Sequence, residues 1–224
     1  MYNINFDVIA QAAPQLIQGI KTTIFISVIS SVCAFIIGLV IVFMRTMGGS
    51  LLKAIGAIYV EIIRNTPMLI QLYFVYKALP DLGLFLHPIA CGIIALSLYT
   101  GAYISEVLRS GVNSVTSQQY EAARGLGLNK WQTFRLIIFP QAIRIVIPPL
   151  GSQFINLVKN SSLVSFIAVT DLFYFIYKGA VDDFRFFEFF IAGAFVYMTL
   201  TGIIAVIFNR IEKMFKLHGR EARV

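Results

Sequence analysis

Five stretches of about twenty residues run almost free of charge along this chain, and they limit its fold more than any other feature. They cover 22–44, 55–76, 88–108, 140–158 and 187–208. The hydrocarbon core of a bilayer is about 30 Å thick and takes about 20 apolar residues per helix, so each stretch is long enough to span. Composition agrees: 58% of the 224 residues are hydrophobic, 13% are charged and mean hydropathy is +0.80, where soluble domains carry roughly a quarter charged residues. A soluble fold of this size cannot hide so much apolar surface. The expected fold is therefore an all-α integral membrane protein of five transmembrane helices, one transmembrane domain over 1–224. A sixth apolar stretch, Leu163 to Tyr177, is too short to span and reads as a helix outside the membrane or re-entering it.

The net charge of +7 does not indicate nucleic acid, because the basic residues are not gathered with aromatics on one element. They fall between the apolar runs, and basic residues at span ends are held in the cytoplasm. With the C-terminus inside, the cytoplasmic segments hold Arg45, Lys53, Arg109, Arg124, Lys130, Arg135, Arg144, Arg210, Lys213, Lys216, Arg220 and Arg223, against Lys21, Lys77, Lys178 and Arg185 outside. Twelve against four places the N-terminus outside and the C-terminus in the cytoplasm, as an odd number of spans requires. The N-terminus carries Asp7 and no basic cluster ahead of its apolar stretch, unlike a cleavable signal peptide, so the first span is expected to be retained.

The loop 112–135, between the third and fourth spans, lies on the basic side. Gln118 to Arg124 reads as a short helix, capped by Ser117 and with Glu121 early, where the dipole favours negative charge. Ala122 and Ala123 give it a low profile, and Gly125 and Gly127 permit a tight reversal. Trp131, Phe134, Leu136, Ile137 and Ile138 are expected to return the chain to apolar surroundings, with Pro140 at the start of the next span. Glu121, Ala122, Ala123, Gly127, Ile137 and Pro140 resemble the EAA loop of bacterial ABC importer permeases: Glu-Ala-Ala, three residues, Gly, nine residues, Ile, one residue, Leu, Pro. Phe139 stands in the Leu position. YVEIIRNTPMLIQLYFVY, YTGAYISEVLRSGVNSV and LVKNSSLVSFIAVTDL extend the resemblance to permeases for polar amino acids.

That resemblance implies a bacterial inner (plasma) membrane protein whose loop, Glu121, Ala122, Ala123, Gly127 and Leu128, docks into an ABC ATP-binding subunit. It also implies a second permease subunit, identical or related, an extracytoplasmic amino-acid-binding protein, and a substrate such as arginine, histidine or glutamine. The chain has no Gly-x-x-x-x-Gly-Lys-Ser/Thr loop, so it is not expected to be an enzyme or to hold a cofactor. ATP and magnesium would belong to the partner. The competing class, a transporter or channel driven by an ion gradient, more often has ten or more spans built from repeats, and no internal repeat is evident.

Polar residues at membrane depth are costly and tend to face a cavity or a partner. Counted from Ala54, Glu61 to Pro67 lie roughly 10 to 20 Å into the core. Pro67 removes an amide donor and drives Thr66 from helical geometry, so the span is expected to break there. Glu61, Asn65 and Thr66 are thus candidates for the substrate pathway, with leaning towards a basic substrate if Glu61 faces it. The alternative is that Glu61 only neutralises Arg64. Lys159, Asn160, Ser161 and Ser162 form a second candidate cluster after the fourth span, or else a polar interfacial turn. Gly38, Gly101, Gly193 and Gly202 are expected at close helix contacts. The aromatics Tyr73, Phe74, Tyr76 and those of 184–190 read as interfacial anchors. Asp171, Asp182 and Asp183 are expected outside, as solvated charge or as contacts to the binding protein. Cys33 and Cys91 read as packing residues, and His87 and His218 are too isolated for a metal site.

Overall fold

Apolar runs in lipid must satisfy their amides within the segment, and every regular element among the described residues is helical. The structure, a computed structural model, describes residues 4–217; His218, Arg220 and Arg223 lie outside them. The elements are α1 (Asp7–Met47), α2 (Ser50–Asn65), α3 (Met68–Tyr73), a π-helical turn (Phe74–Ala78), α4 (Leu79–Asp81), α5 (Pro88–Asn113), α6 (Ser117–Gly125), α7 (Lys130–Thr133), a second π-helical turn (Phe134–Ile138), α8 (Phe139–Asn160), a 3-10 helix (Ser161–Ile167), α9 (Leu172–Asp182) and α10 (Phe186–Leu217).

Four described helical runs are long and apolar enough to cross a membrane: 7–47, 88–113, 131–167 and 186–215. They correspond to the first, third, fourth and fifth expected spans. At 41 residues α1 is about 60 Å long, twice the core thickness, and it begins fifteen residues before the expected span. The second expected span is not one helix. It is divided into α2 and α3 at Thr66 and Pro67, where the backbone is extended (Thr66 φ −108°, ψ 132°).

The break is closed by side chains. Pro67 has no amide to give to Ile63 four residues back. The Gln71 side chain donates instead to the carbonyls of Ile63 (2.8 Å) and Thr66 (2.9 Å). Thr66 Oγ1 donates to the Ile62 carbonyl, and Asn65 Nδ2 to that of Glu61, each at 2.8 Å. Both π-helical turns stand directly ahead of a proline, Pro80 or Pro140. A proline inside a helix leaves the carbonyl four residues back unpaired and collides with it. The wider turn moves that carbonyl aside, and Leu79 and Phe139 bond five residues back, to Phe74 and Phe134.

α1 packs along α5 over much of its length, on a seam of Ala34, Gly38 and Gly101. A Cβ at Gly38 would stand 2.5 Å from Ile104, and one at Gly101 2.7 Å from Ile37. Gly193 is likewise filled, by Ile176, but Gly202 has nothing within 4 Å and faces outward instead of packing. The stretch 163–177 folds back as the 3-10 helix and α9. Val164, Ile167 and Val169 join Met68, Leu72, Cys91 and Leu96 in one core, so α3, α5 and the segment after α8 are held together. Of the aromatics in 184–190, Phe189 is buried within the core and the rest are largely exposed. α10 keeps Phe195, Met198, Ile203, Val206 and Ile207 exposed, a surface suited to lipid.

Candidate functional site

Polar side chains from two helices meet at one cavity of about 480 Å³, lined by Tyr99, Thr100 and Tyr103 of α5 and Gln153, Asn156, Lys159 and Asn160 of α8. Their spacing explains the meeting: positions 99 and 103, and 153, 156 and 160, each recur at three or four residues and share a helix face. The Tyr99 and Tyr103 rings lie 5.0 Å apart and their hydroxyls 3.3 Å apart. The lining offers hydroxyls, amides and one ammonium, and no carboxylate. A groove of about 490 Å³ between α1, α8 and α10 is lined mostly by apolar residues such as Ile24, Val28, Val32, Val158 and Ile204, with Thr23, Ser27 and Ser31 its polar members, and offers little to a polar solute.

Of the residues singled out from sequence, Lys159 and Asn160 line this cavity. Ser161 and Ser162 are not in the lining, and their hydroxyls donate to the carbonyls of Val158 and Lys159, each at 2.8 Å. Glu61, Asn65 and Thr66 are not in the lining. Glu61 is exposed and accepts from Asn65 Nδ2 at 3.0 Å, so the donors of Asn65 and Thr66 are engaged within α2. Tyr99, Thr100, Tyr103, Gln153 and Asn156 were not anticipated. The i, i+3, i+4 recurrence of polar residues within two apolar spans is the signal that would have found them.

Arg64 pairs with Glu106 of α5, not with Glu61. Glu106 is met by Arg45 of α1, by Arg109 (2.8 and 3.2 Å) and, at 3.8 Å, by Arg64. The Arg64 guanidinium lies 5.1 Å from the centre of the Tyr103 ring, whose edge reaches the cavity. Three helices are thereby tied at one carboxylate.

In the loop, the helix begins at Ser117 itself, and neither Ser117 nor the preceding Thr116 makes a side-chain capping bond. Ala123 is buried while Glu121, Ala122, Arg124 and Gly127 are exposed and Leu128 is half-buried. Gly127 has φ +75°, a backbone conformation that costs other residues roughly 1–2 kcal/mol; Gly125 needs no such freedom. The Leu128 amide donates to the Ala123 carbonyl at 3.1 Å and closes the helix end. Asn129 and Gln132 then exchange reciprocal bonds of 2.9 Å, a capping box that starts α7. Trp131, expected among apolar neighbours, is 66% exposed, and Leu126 is 77% exposed. Tyr120 and Leu136 are exposed as well.

Asp171, expected outside as solvated charge or as a contact to the binding protein, is fully buried. It caps α9 by accepting from the Tyr174 amide at 2.9 Å, and burial pushes its carboxyl up to about 7. The adjoining Leu172 amide donates to Thr23 Oγ1 at 3.1 Å, and a Cβ on Gly19 would stand 2.8 Å from the Asp171 carbonyl. Asp182 and Asp183 are exposed as expected, and Asp182 raises the pKa of Lys178 by pairing with it.

An all-helical membrane bundle with a polar cavity between two spans and an exposed Glu-Ala-Ala helix on a glycine-closed loop defines a transport permease rather than an enzyme. The chain belongs to the family described as binding-protein-dependent transport system inner membrane component, whose profile matches residues 22–216, and it is a membrane-embedded transport component. It is 38% identical to the probable glutamine ABC transporter permease protein GlnM of Bacillus subtilis (strain 168) over 94% of this chain and 97% of that one. It is 36% identical to the glutamine transport system permease protein GlnP of Escherichia coli (strain K12) over 92% of this chain and 95% of that one. Among solved structures, an amino acid ABC transporter crystallised with histidines superimposes with a TM-score of 0.88 at 30% identity, over 95% of this chain and 100% of that chain. The MetNI methionine ABC transporter in an inward-facing conformation shares the fold, with a TM-score of 0.71 at 18% identity over 89% of this chain and 95% of that one.

Proposed function

We propose that this chain is the permease subunit of an ATP-driven importer and that its cargo is a polar amino acid with a neutral amide side chain, glutamine foremost. The observation that carries the substrate is the cavity lining, which presents Lys159 to a carboxylate, three amides and three hydroxyls to polar groups, and no anion. With Lys159 taken by the cargo's carboxylate, the lining holds no anion for a basic side chain, so the basic cargo that Glu61 raised is disfavoured. The glutamine permeases among its relatives support the same reading. The chain spans the membrane five times, α2 and α3 together forming the interrupted second span, with the N-terminus outside and the loop and C-terminus in the cytoplasm. A second permease subunit completes the pathway, a separate subunit binds ATP and magnesium and docks on Glu121 to Leu128, and an external protein delivers the amino acid.

The test is uptake by the chain assembled with its ATPase and binding protein in liposomes. Glutamine should be taken up in preference to arginine, and Lys159→Gln should reduce glutamine uptake about tenfold, the loss of one charge-assisted hydrogen bond. Preference for arginine, or indifference to Lys159→Gln, would contradict the assignment of this cavity.

A further inference from the structure

Three guanidiniums converge on the single carboxylate of Glu106, and they are not equivalent. Arg109 makes two hydrogen bonds to it, Arg45 is in direct contact and 17% exposed, and Arg64, at 3.8 Å, is beyond hydrogen-bond reach and 41% exposed. Glu106 keeps two partners if Arg64 leaves. In that same position beside Glu106 the Arg64 guanidinium also lies over the face of Tyr103, a residue that lines the cavity. Its anchorage is local and at the edge of the α2–α3 break, because the Arg64 carbonyl faces the Tyr103 hydroxyl at 3.5 Å. With three guanidiniums to one carboxylate, the cluster carries two positive charges in excess and has an electrostatic demand for one more anion.

We propose that Arg64 is a carboxylate-receiving residue next to the amino-acid cavity: it moves from Glu106 across the Tyr103 ring to bind the substrate's carboxylate, and Glu106 holds it back while the cavity is empty. The inference rests on the reading that the cavity takes an amino acid. Two roles follow from the geometry. Arg64 supplies a second cation to the carboxylate beside Lys159, and Glu106 competes for Arg64, so filling the cavity and loosening the α2–α5 tie become one event.

Binding of glutamine and of glutaminamide, which lacks the carboxylate, to the purified full transporter without its binding protein tests this. Arg64→Gln should weaken glutamine binding about tenfold, Arg64→Lys less, and Glu106→Gln should tighten it several-fold by releasing Arg64. The double variant should match Arg64→Gln, and glutaminamide should bind alike to all of them. Unchanged glutamine binding in Arg64→Gln and Glu106→Gln, with wild-type binding intact and Lys159→Gln impaired, would overturn this role and leave the proposed function standing. Equal losses for both ligands in Arg64→Gln and Glu106→Gln would make the cluster a structural tie only. Absence of glutamine binding to the wild type would overturn the cavity assignment and this inference with it.

Discussion

At the scale of single residues, the instructive case is Asp171. From sequence it is an acidic residue in a loop and reads as solvated or as a contact to the binding protein; in the fold it is fully buried and caps α9 against α1. A lone Asp before an apolar run looks the same in either setting, and only Gly19, which admits the loop backbone at 2.8 Å, marks the approach. Its carboxyl is raised to about 7, so the folded protein binds its proton more tightly than the unfolded chain does. Stability from this group is full below the ordinary carboxylate range and is lost as pH rises towards 7. Thermal unfolding of the detergent-solubilised protein should therefore show wild-type losing stability between about pH 4 and 7, while Asp171→Asn shows a smaller loss over that interval. Identical pH profiles would mean the carboxyl is ionised throughout. Asn65 and Thr66 teach a related lesson: Pro67 marks the break, but not that these side chains turn back to the carbonyls of Glu61 and Ile62.

At the scale of elements, the long apolar runs were legible because lipid allows their backbone few other solutions. The helix ends and the π-helical turns were not, since Pro80 and Pro140 were visible but their accommodation depends on three-dimensional crowding. The α2–α3 junction depends on Gln71, whose amide holds two carbonyls across the break. Gln71→Leu should leave both unpaired and cost about 1–3 kcal/mol for each that stays buried, read as a lowered unfolding temperature, whereas Gln71→Glu retains the acceptor but not the donor and should rescue nothing. The α1–α5 seam makes a second prediction. Gly38→Val would drive a side chain into Ile104, already 2.5 Å from a Cβ at that position, and should destabilise by about 1–3 kcal/mol, while Gly202→Val, with open space around it, should change little.

At the scale of the whole molecule, the short loop helix and its glycine closure were legible, since Gln118 to Arg124 lie within α6 and Gly127 takes a positive φ, but the Ser117 cap and the return of Trp131 to apolar surroundings were not found. The cavity was legible only at two of its seven lining residues: Lys159 and Asn160 belong to a visible polar run, but the tyrosines of α5 and the amides of α8 are separated in sequence by fifty residues or more and meet only when the helices pack. The central claim is that the exposed helix transmits ATP-driven work from a separate subunit to this cavity. Its most direct test is glutamine uptake into liposomes holding the chain with its ATPase and binding protein. Uptake should require ATP, and Glu121→Lys should abolish it while ATP hydrolysis continues. Glutamine uptake by the chain alone, driven by an ion gradient, would contradict the account.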